Sequence, residues 1–456
     1  MPVFETRAVM PVPVEELFAY HARPGAFERL APPWQKLDII EQSGGMQDGG
    51  RVVFDARFGP VKRRWVAEMS DYREGEQFVD TQVEGPFAHW RHTHRFVRVD
   101  DSTSRLIDHV EYGLPAGGLT DWVGEGPAGK QLQRLFTFRH ERTRLDLERH
   151  ALWRDRPRLR VAITGSGGLI GSHLAVYLTT AGHDVVRLVR RDDAGPGEVS
   201  WDPASGRLDA DELEGVDAFV NLAGATIGTV WTPRRKAAIM ESRVQATTTL
   251  VEAILHMRTP PKVLVSSSAV GIYGSQGGLA LTEEASDGDG YLAEVCRAWE
   301  AAAARAAAAG VRVVTPRQGI VISAAGGALA QQLPAFKSGL GVRLGDGDQW
   351  WSWIALDDVL AAIEWLLYDD ELSGPVNFAA PEPVTNLEFV KTLGKVLRRP
   401  AVLFAPERVV KTILGGMARE MLLASQRAVP MKLNMRGFRF AFPELDGALR
   451  YELGRS

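Results

Sequence analysis

Cysteine is almost missing from this chain: Cys296 stands alone among 456 residues, so no intramolecular disulfide can form and a cross-linked scaffold is excluded. Long apolar runs are missing as well. No segment reaches the roughly 18 consecutive apolar residues of a membrane-spanning helix, and the alanine-rich AAAARAAAAG closes on Gly310, which reads as a buried helix with a glycine stop. Neither sign of charge dominates. A net charge of −4 and a pI near 6.2 give no overall attraction to phosphate backbones or anionic lipid, so small molecules are expected as partners in place of nucleic acid or membranes. The first residues, MPVFETRAVMPVP, carry charges where a secretory signal needs an apolar core, and together with the lone cysteine this predicts a cytoplasmic location.

What is present belongs to a globular protein. Hydrophobic residues make up 45% and charged residues 24% of the chain, and its length exceeds what one ordinary core encloses, so at least two domains are expected. The grammar changes near residue 150. Before it, RVVFDARFG, QFVDTQVEG, HTHRFVRVD and SRLIDHVEYG alternate apolar with polar residues, the pattern of half-buried antiparallel strands. A strand is predicted over Glu5 to Met10, then a helix started by Pro13 with Leu17, Phe18 and Tyr20 as its apolar surface, and last a long helix from about Ala128 to His150. Within this part, HWRHTH puts His92 and His94 on one strand face and His89, at odd spacing, on the other. Two imidazoles fall short of the three or four protein ligands that zinc takes, so polar pocket or surface residues are expected there and no metal. The arginine-rich stretch from Arg134 to Arg160 reads as a solvated helix face running into a linker over 151–158.

A curved antiparallel sheet followed by a long helix resembles the helix-grip, START-like superfamily of polyketide cyclases and hydrophobic-ligand carriers. Over residues 1–150 the resemblance implies an α+β domain with an apolar cavity and a hydrophobic ligand.

From Leu159 strands and helices alternate. LRVAITGSGGLIGSHLAVYLTTAGHDVVRLVRR is an apolar strand, a glycine turn, an amphipathic helix stopped at Gly182 and a second strand, together a dinucleotide-binding unit. Gly165 permits the tight turn, Gly168 lets the backbone approach a pyrophosphate and Gly171 lets the helix pack closely, while Thr164, Leu169 and Ile170 flank them at the helix N-terminus. An NAD site would place a carboxylate near Val189 for the ribose 2′-hydroxyl. Arg190 and Arg191 follow instead, which favours a 2′-phosphate and hence NADP(H).

The spacing GxxGxxG, then VNLAGA at Val220 to Ala225 and VLVSSSAVGIYG at Val263 to Gly274, resembles the extended short-chain dehydrogenase/reductase superfamily. The resemblance implies that Asn221, Ala223, Gly224 and Ser267 support the cofactor and that Ser268, ending the fifth strand, binds the reacting oxygen. RQGIVIS, GDQWWSWIALDDV and NFAAPEPVTNLEFVKTLGKVLRRP look like an atypical subgroup, the NAD-dependent epimerase/dehydratase or nucleoside-diphosphate-sugar epimerase proteins. It implies a Rossmann-like doubly wound parallel sheet over 159–456, with 323–350 and 375–456 building a small C-terminal substrate lobe.

One departure from the superfamily is plain. In YLAEVCRAWE the tyrosine and lysine positions fall on Leu292 and Cys296, and a frame shifted to Tyr291 leaves Val295 where lysine belongs. The usual acid, a phenol tuned by a neighbouring lysine, is therefore not spelled out. Ser268, Tyr273 and Cys296 are the leading catalytic candidates, with Tyr291, Glu283 and Glu284 behind them. Arg243 is expected to meet an anionic cofactor or substrate group or to form a helix-surface ion pair, and Trp351 and Trp353 to form a substrate wall or a core. The chain is thus expected to be an NADP(H)-dependent oxidoreductase or epimerase acting on a small carbonyl or hydroxyl substrate, such as a nucleotide sugar or a hydrophobic molecule held by the first domain. The alternative is a non-catalytic NADPH sensor. Either leaves room for a homodimer.

Overall fold

The computed structural model describes residues 2–58, 61–114 and 126–455. It divides into two compact units, one comprising the chain to Pro157 together with Thr179–Gly182 and one comprising Arg158–Leu178 and His183–Arg455.

The first unit follows the alternation in its sequence. β1 (Val3–Met10) leads into α1 (Val14–Ala22) and the short α2 (Ala26–Arg29), and then come β2 (Leu37–Ser43), β3 (Arg51–Phe58), β4 (Val61–Arg73), β5 (Gln77–Glu84), β6 (His89–Arg98) and β7 (Ser104–Gly113). The seven strands form one antiparallel sheet in the order β1-β7-β6-β5-β4-β3-β2. Its core face buries Phe54, Trp65, Trp90 and Tyr112 against Leu132 and Phe136 of α3 (Pro127–Ala151). A buried ion pair ties the helices together: Arg29 donates to both oxygens of Asp146, each at 2.7 Å, and Tyr20 donates to the same carboxylate at 2.8 Å. Neither charge of that pair is exposed, so each is compensated inside the fold and not by water.

The second unit is a parallel sheet, because each strand feeds a helix that must cross back over the sheet. β8 (Arg160–Thr164), α4 (Leu169–Ala181), β9 (Asp184–Val189), β10 (Glu198–Ser200), β11 (Ala218–Asn221), α5 (Pro233–His256), β12 (Val263–Ser266) and β13 (Ser268–Ala269) come first. β14 (Ala280–Leu281), α6 (Tyr291–Ala304), β15 (Arg312–Gln318), β16 (Ile320–Ile322), α7 (Gly327–Lys337), β17 (Val342–Leu344), β18 (Trp350–Trp351), β19 (Trp353–Ala355), α8 (Leu356–Tyr368) and β20 (Gly374–Phe378) complete the frame. The sheet order is β10-β9-β8-β11-β12-β15-β13, with β20 on β15. Chain order reverses between β8 and β11, and the crevice at the strand ends there is where such sheets receive ligands. The residues beyond add two-stranded pairs, β16 with β19 and β18 with Val384–Thr385 among them.

Candidate functional site

The turn between β8 and α4 requires its glycines. Gly165 has a φ of +65°, a left-handed conformation that other residues avoid, and a Cβ there would lie 2.6 Å from the Leu222 carbonyl oxygen. A Cβ on Gly171 would meet the Gly165 carbonyl oxygen at 2.3 Å, so Gly171 lets the first turn of α4 close on the loop. One on Gly168 would meet only that same oxygen, at 3.2 Å, and one on Gly167 would meet nothing within 4 Å. The open backbone before Leu169 and Ile170 is therefore a cradle that a pyrophosphate fits, at a helix end whose free N–H groups favour negative charge.

Thr164 and Asn221 lock the neighbouring strand ends together. The Thr164 hydroxyl donates to Asn221 Oδ1 at 2.7 Å and accepts from the Leu222 and Ala223 amides. Asn221 Nδ2 donates to Thr247 and Ser266, and its carbonyl accepts the Ser267 amide. Gly224 lies against Arg243, whose guanidinium carbon a Cβ there would approach to 3.1 Å.

At the end of β9 no carboxylate occupies position 189, where Val189 stands. Arg191 is paired with Glu198, which also takes Arg187 at 2.8 Å, and Asp192 is drawn to Arg207 at 2.9 Å. Arg190 is exposed and makes no ion pair among the described residues, so its charge is available to a ligand.

The serine, tyrosine and cysteine candidates come together, in unequal roles. Ser268 Oγ donates to Glu300 Oε1 at 2.6 Å. Arg317 grips both oxygens of Glu300 at 3.0 Å and donates to the Tyr273 hydroxyl, also at 3.0 Å. Tyr273 in turn donates to Asn377 Oδ1 at 2.7 Å and is 0% exposed, so its phenol is spent inside the fold and its proton-donor reading gives way to a packing one. Cys296 is buried against the Ala269 carbonyl, 3.7 Å away. Burial, with the charge of Glu300 adding to it, pushes its thiol up to about 11, which removes it as a nucleophile near neutrality.

Arg243 reaches the same neighbourhood from α5. Its Nη1 donates to the Ala225 and Ile239 carbonyls, each at 3.1 Å, and its guanidinium carbon lies 5.0 Å from the centre of the Trp299 ring. Tyr291 donates to the Lys236 carbonyl, and the Lys236 ammonium lies 4.6 Å over its ring. Burial raises the Tyr291 pKa, and Arg243 opposes that rise. Cations thus stand beside the tyrosine, supplied from α5 instead of four residues along α6.

Trp351 and Trp353 are core residues, which corrects the reading of a substrate wall. Trp353 is 0% exposed and donates to the Glu382 carbonyl at 2.9 Å; Trp351 is 5% exposed and packs on Phe389 with ring centres 5.3 Å apart. Sequence reasoning missed Glu300, Arg317 and Asn377 as one network, because they lie on separate elements and no spacing links them. Glu283 is also buried, accepting the Asn377 amide at 3.0 Å, and so braces that network.

The first unit contains a cavity of about 1300 Å³ that opens to solvent. Phe54, Trp65, Phe87 and Leu132 line its apolar wall, and Asp80, His92, His94 and Arg139 its polar end. The strand register explains that end: Asp80 lies opposite His92, and His94 opposite Asp108.

The second unit is, by its strand order and glycine cradle, a dinucleotide-binding domain of the short-chain dehydrogenase type. Comparison with known proteins agrees. Residues 161–378 match the model of the NAD dependent epimerase/dehydratase family, 405–452 a domain of unknown function, DUF1731, and 10–136 the polyketide cyclase/dehydrase and lipid transport family. An epimerase family protein of Mycobacterium bovis is 42% identical over 296 residues, which cover 65% of this chain and 98% of that protein. The crystal structure of a nucleoside-diphosphate sugar epimerase from Corynebacterium glutamicum superposes with a TM-score of 0.82 at 34% identity, over 99% of this chain and 90% of that one. That of the human epimerase family protein SDR39U1 with NADPH superposes with a TM-score of 0.58 at 32% identity, over 64% and 98% of the two chains. The chain belongs to the epimerase family, and its first unit is a polyketide cyclase-like, helix-grip domain.

Proposed function

We propose that the second unit is an NADP(H)-dependent oxidoreductase or epimerase acting on a small carbonyl or hydroxyl compound, a nucleotide sugar being one such class. The observation that carries this reading is the glycine cradle at the β8 and α4 turn, with Arg190 free beyond β9. Thr164, Gly165, Gly168, Leu169, Ile170 and Gly171 would hold the dinucleotide, Asn221, Ala223, Gly224 and Ser267 would flank its nicotinamide half, and Arg190 with Arg191 would face the 2′-phosphate. NADPH in the human relative's structure supports the choice of cofactor. Bound there, the cofactor supplies hydride chemistry at the nicotinamide.

The chain's own residues handle the oxygen and its proton. Ser268 already gives its proton to Glu300, so its lone pairs can receive a substrate hydroxyl, and Arg317 holds the carboxylate in place. Arg243 provides a cation beside this pair for an anionic group. The first unit's cavity suits an apolar ligand, which accords with its lining. A second reading, an NADPH sensor without turnover, draws support from the enclosed Tyr273 and the raised Cys296 thiol.

Isotope transfer separates the two. The full chain is incubated with NADPH deuterated at C4, prepared as each stereoisomer, in a small-molecule extract, and products are read by mass spectrometry. A metabolite that gains deuterium, and fails to do so with Ser268→Ala, is the expected result. Tight NADPH binding with no label transferred would sink the reductase reading and leave an epimerase that returns its hydride internally, or the sensor.

A further inference from the structure

The cavity of the first unit ends in a cluster that the cofactor domain does not use. Asp80 on β5, His92 and His94 on β6, Asp108 on β7 and His140 on α3 meet on the inner face of the sheet. His92 Nδ1 lies 2.9 Å from Asp80 Oδ2, and His94 Nε2 lies 3.2 Å from the same oxygen. One ligand atom from each of these three residues falls within 4.8 Å of the others. All three line the cavity.

Behind them stands a second carboxylate. Asp108 Oδ1 is 2.9 Å from His92 Nε2 and 3.0 Å from His94 Nδ1, and its Oδ2 takes His140. The His94 nitrogen is close to Asp108 but not aligned for a hydrogen bond, which leaves it buried and unsatisfied. Trp90 donates to Asp80 Oδ1 at 3.1 Å, turning Oδ2 toward the imidazoles.

We propose that Asp80, His92 and His94 bind a divalent transition-metal ion, with Asp108 orienting both imidazoles from behind and the remaining coordination positions open to the cavity. Three observations carry this. Ligand atoms about 2.9–3.4 Å apart are what an ion with bonds of about 2.0–2.1 Å at angles of about 90–110° requires, and two of the three pairs already meet that spacing. A carboxylate behind each imidazole is the arrangement that fixes metal-bound histidines. Three protein ligands facing a cavity leave room for an oxygen of a bound molecule, as in a catalytic site and unlike a closed structural one. The two imidazoles of β6 are too few by themselves; the third ligand comes from the neighbouring strand.

Charge is consistent with the assignment. A doubly charged ion balances the two carboxylates, and Arg139 on the same wall leaves the site positive. Its ligand is then an apolar molecule with a carbonyl or carboxylate oxygen.

The test uses the full chain, stripped with a chelator and dialysed against Zn²⁺ or Co²⁺. One ion per chain is expected, with Co²⁺ absorption bands of a four- or five-coordinate nitrogen and oxygen site. Asp80→Asn and Asp108→Asn should each weaken binding by roughly 10- to 100-fold, with NADPH binding unchanged as a check on the fold. In the unmodified chain labelled with ¹⁵N at histidine, Zn²⁺ should shift the ring nitrogens of two histidines, a readout that needs no variant. Less than one-tenth of an equivalent bound, or a bound ion that leaves every histidine signal in place, would overturn the proposal.

Discussion

Cys296 shows how far a residue's surroundings outweigh its identity. A lone cysteine on the helix where the superfamily keeps its acid invites a catalytic role, yet its thiol is 3% exposed and lies beside Glu300. Its pKa of about 11 in the folded chain stands above the ordinary value of 9.0. The protonated thiol therefore favours the fold below about 9, and that contribution is lost as pH rises through about 11. At pH 8 the native chain should react with iodoacetamide about a hundredfold more slowly than the unfolded one, from the difference in thiolate fraction alone. Equal rates would place a thiolate in the native site. The sequence put Ser268, Tyr273 and Cys296 near one another, since all three flank the fifth strand or the helix after it. It could not tell that Tyr273 points inward to Asn377, because one chain's spacing carries no record of which face of a short turn is covered.

The elements were legible where a period or a turn residue defines them. Alternation in the first 113 residues marked the strands, and the glycine turn marked β8 and α4. Partners across strands were not. His92 and His94 share a face by spacing, but Asp80 and Asp108 join them only through register, which depends on turn lengths and bulges such as the shift between Ser70 and Arg73. The Trp-rich segment before α8 is open to two readings in sequence for a related reason: a run that suits a stacking wall also suits a core, and Trp351 and Trp353 on β18 and β19 are buried. The clearest prediction at this scale concerns α4. Its first turn closes on the Gly165 carbonyl only because position 171 has no side chain, so Gly171→Val should displace that turn and weaken NADPH binding at least tenfold, read by fluorescence titration. Binding within twofold of the parent would show that the cradle does not position the cofactor.

For the whole molecule, one chain joins a cavity-bearing helix-grip domain to a dinucleotide-binding domain. The resemblance that pointed to the first rests on the order of its elements and that to the second on ordered motifs, and these specify a backbone and a cofactor better than a reaction. The network of Ser268, Glu300 and Arg317 is the least legible part, because the Tyr and Lys pair is absent from its usual spacing and these three residues come from separate elements. The central claim is that the second unit takes NADP(H) through its glycine cradle and Arg190. Calorimetric titration of the full chain with NADPH and, separately, with NADH tests it most directly. The account predicts one NADPH per chain, bound at least tenfold more tightly than NADH, with that preference lost in Arg190→Ala. Tighter binding of NADH, or no binding of either, would contradict it.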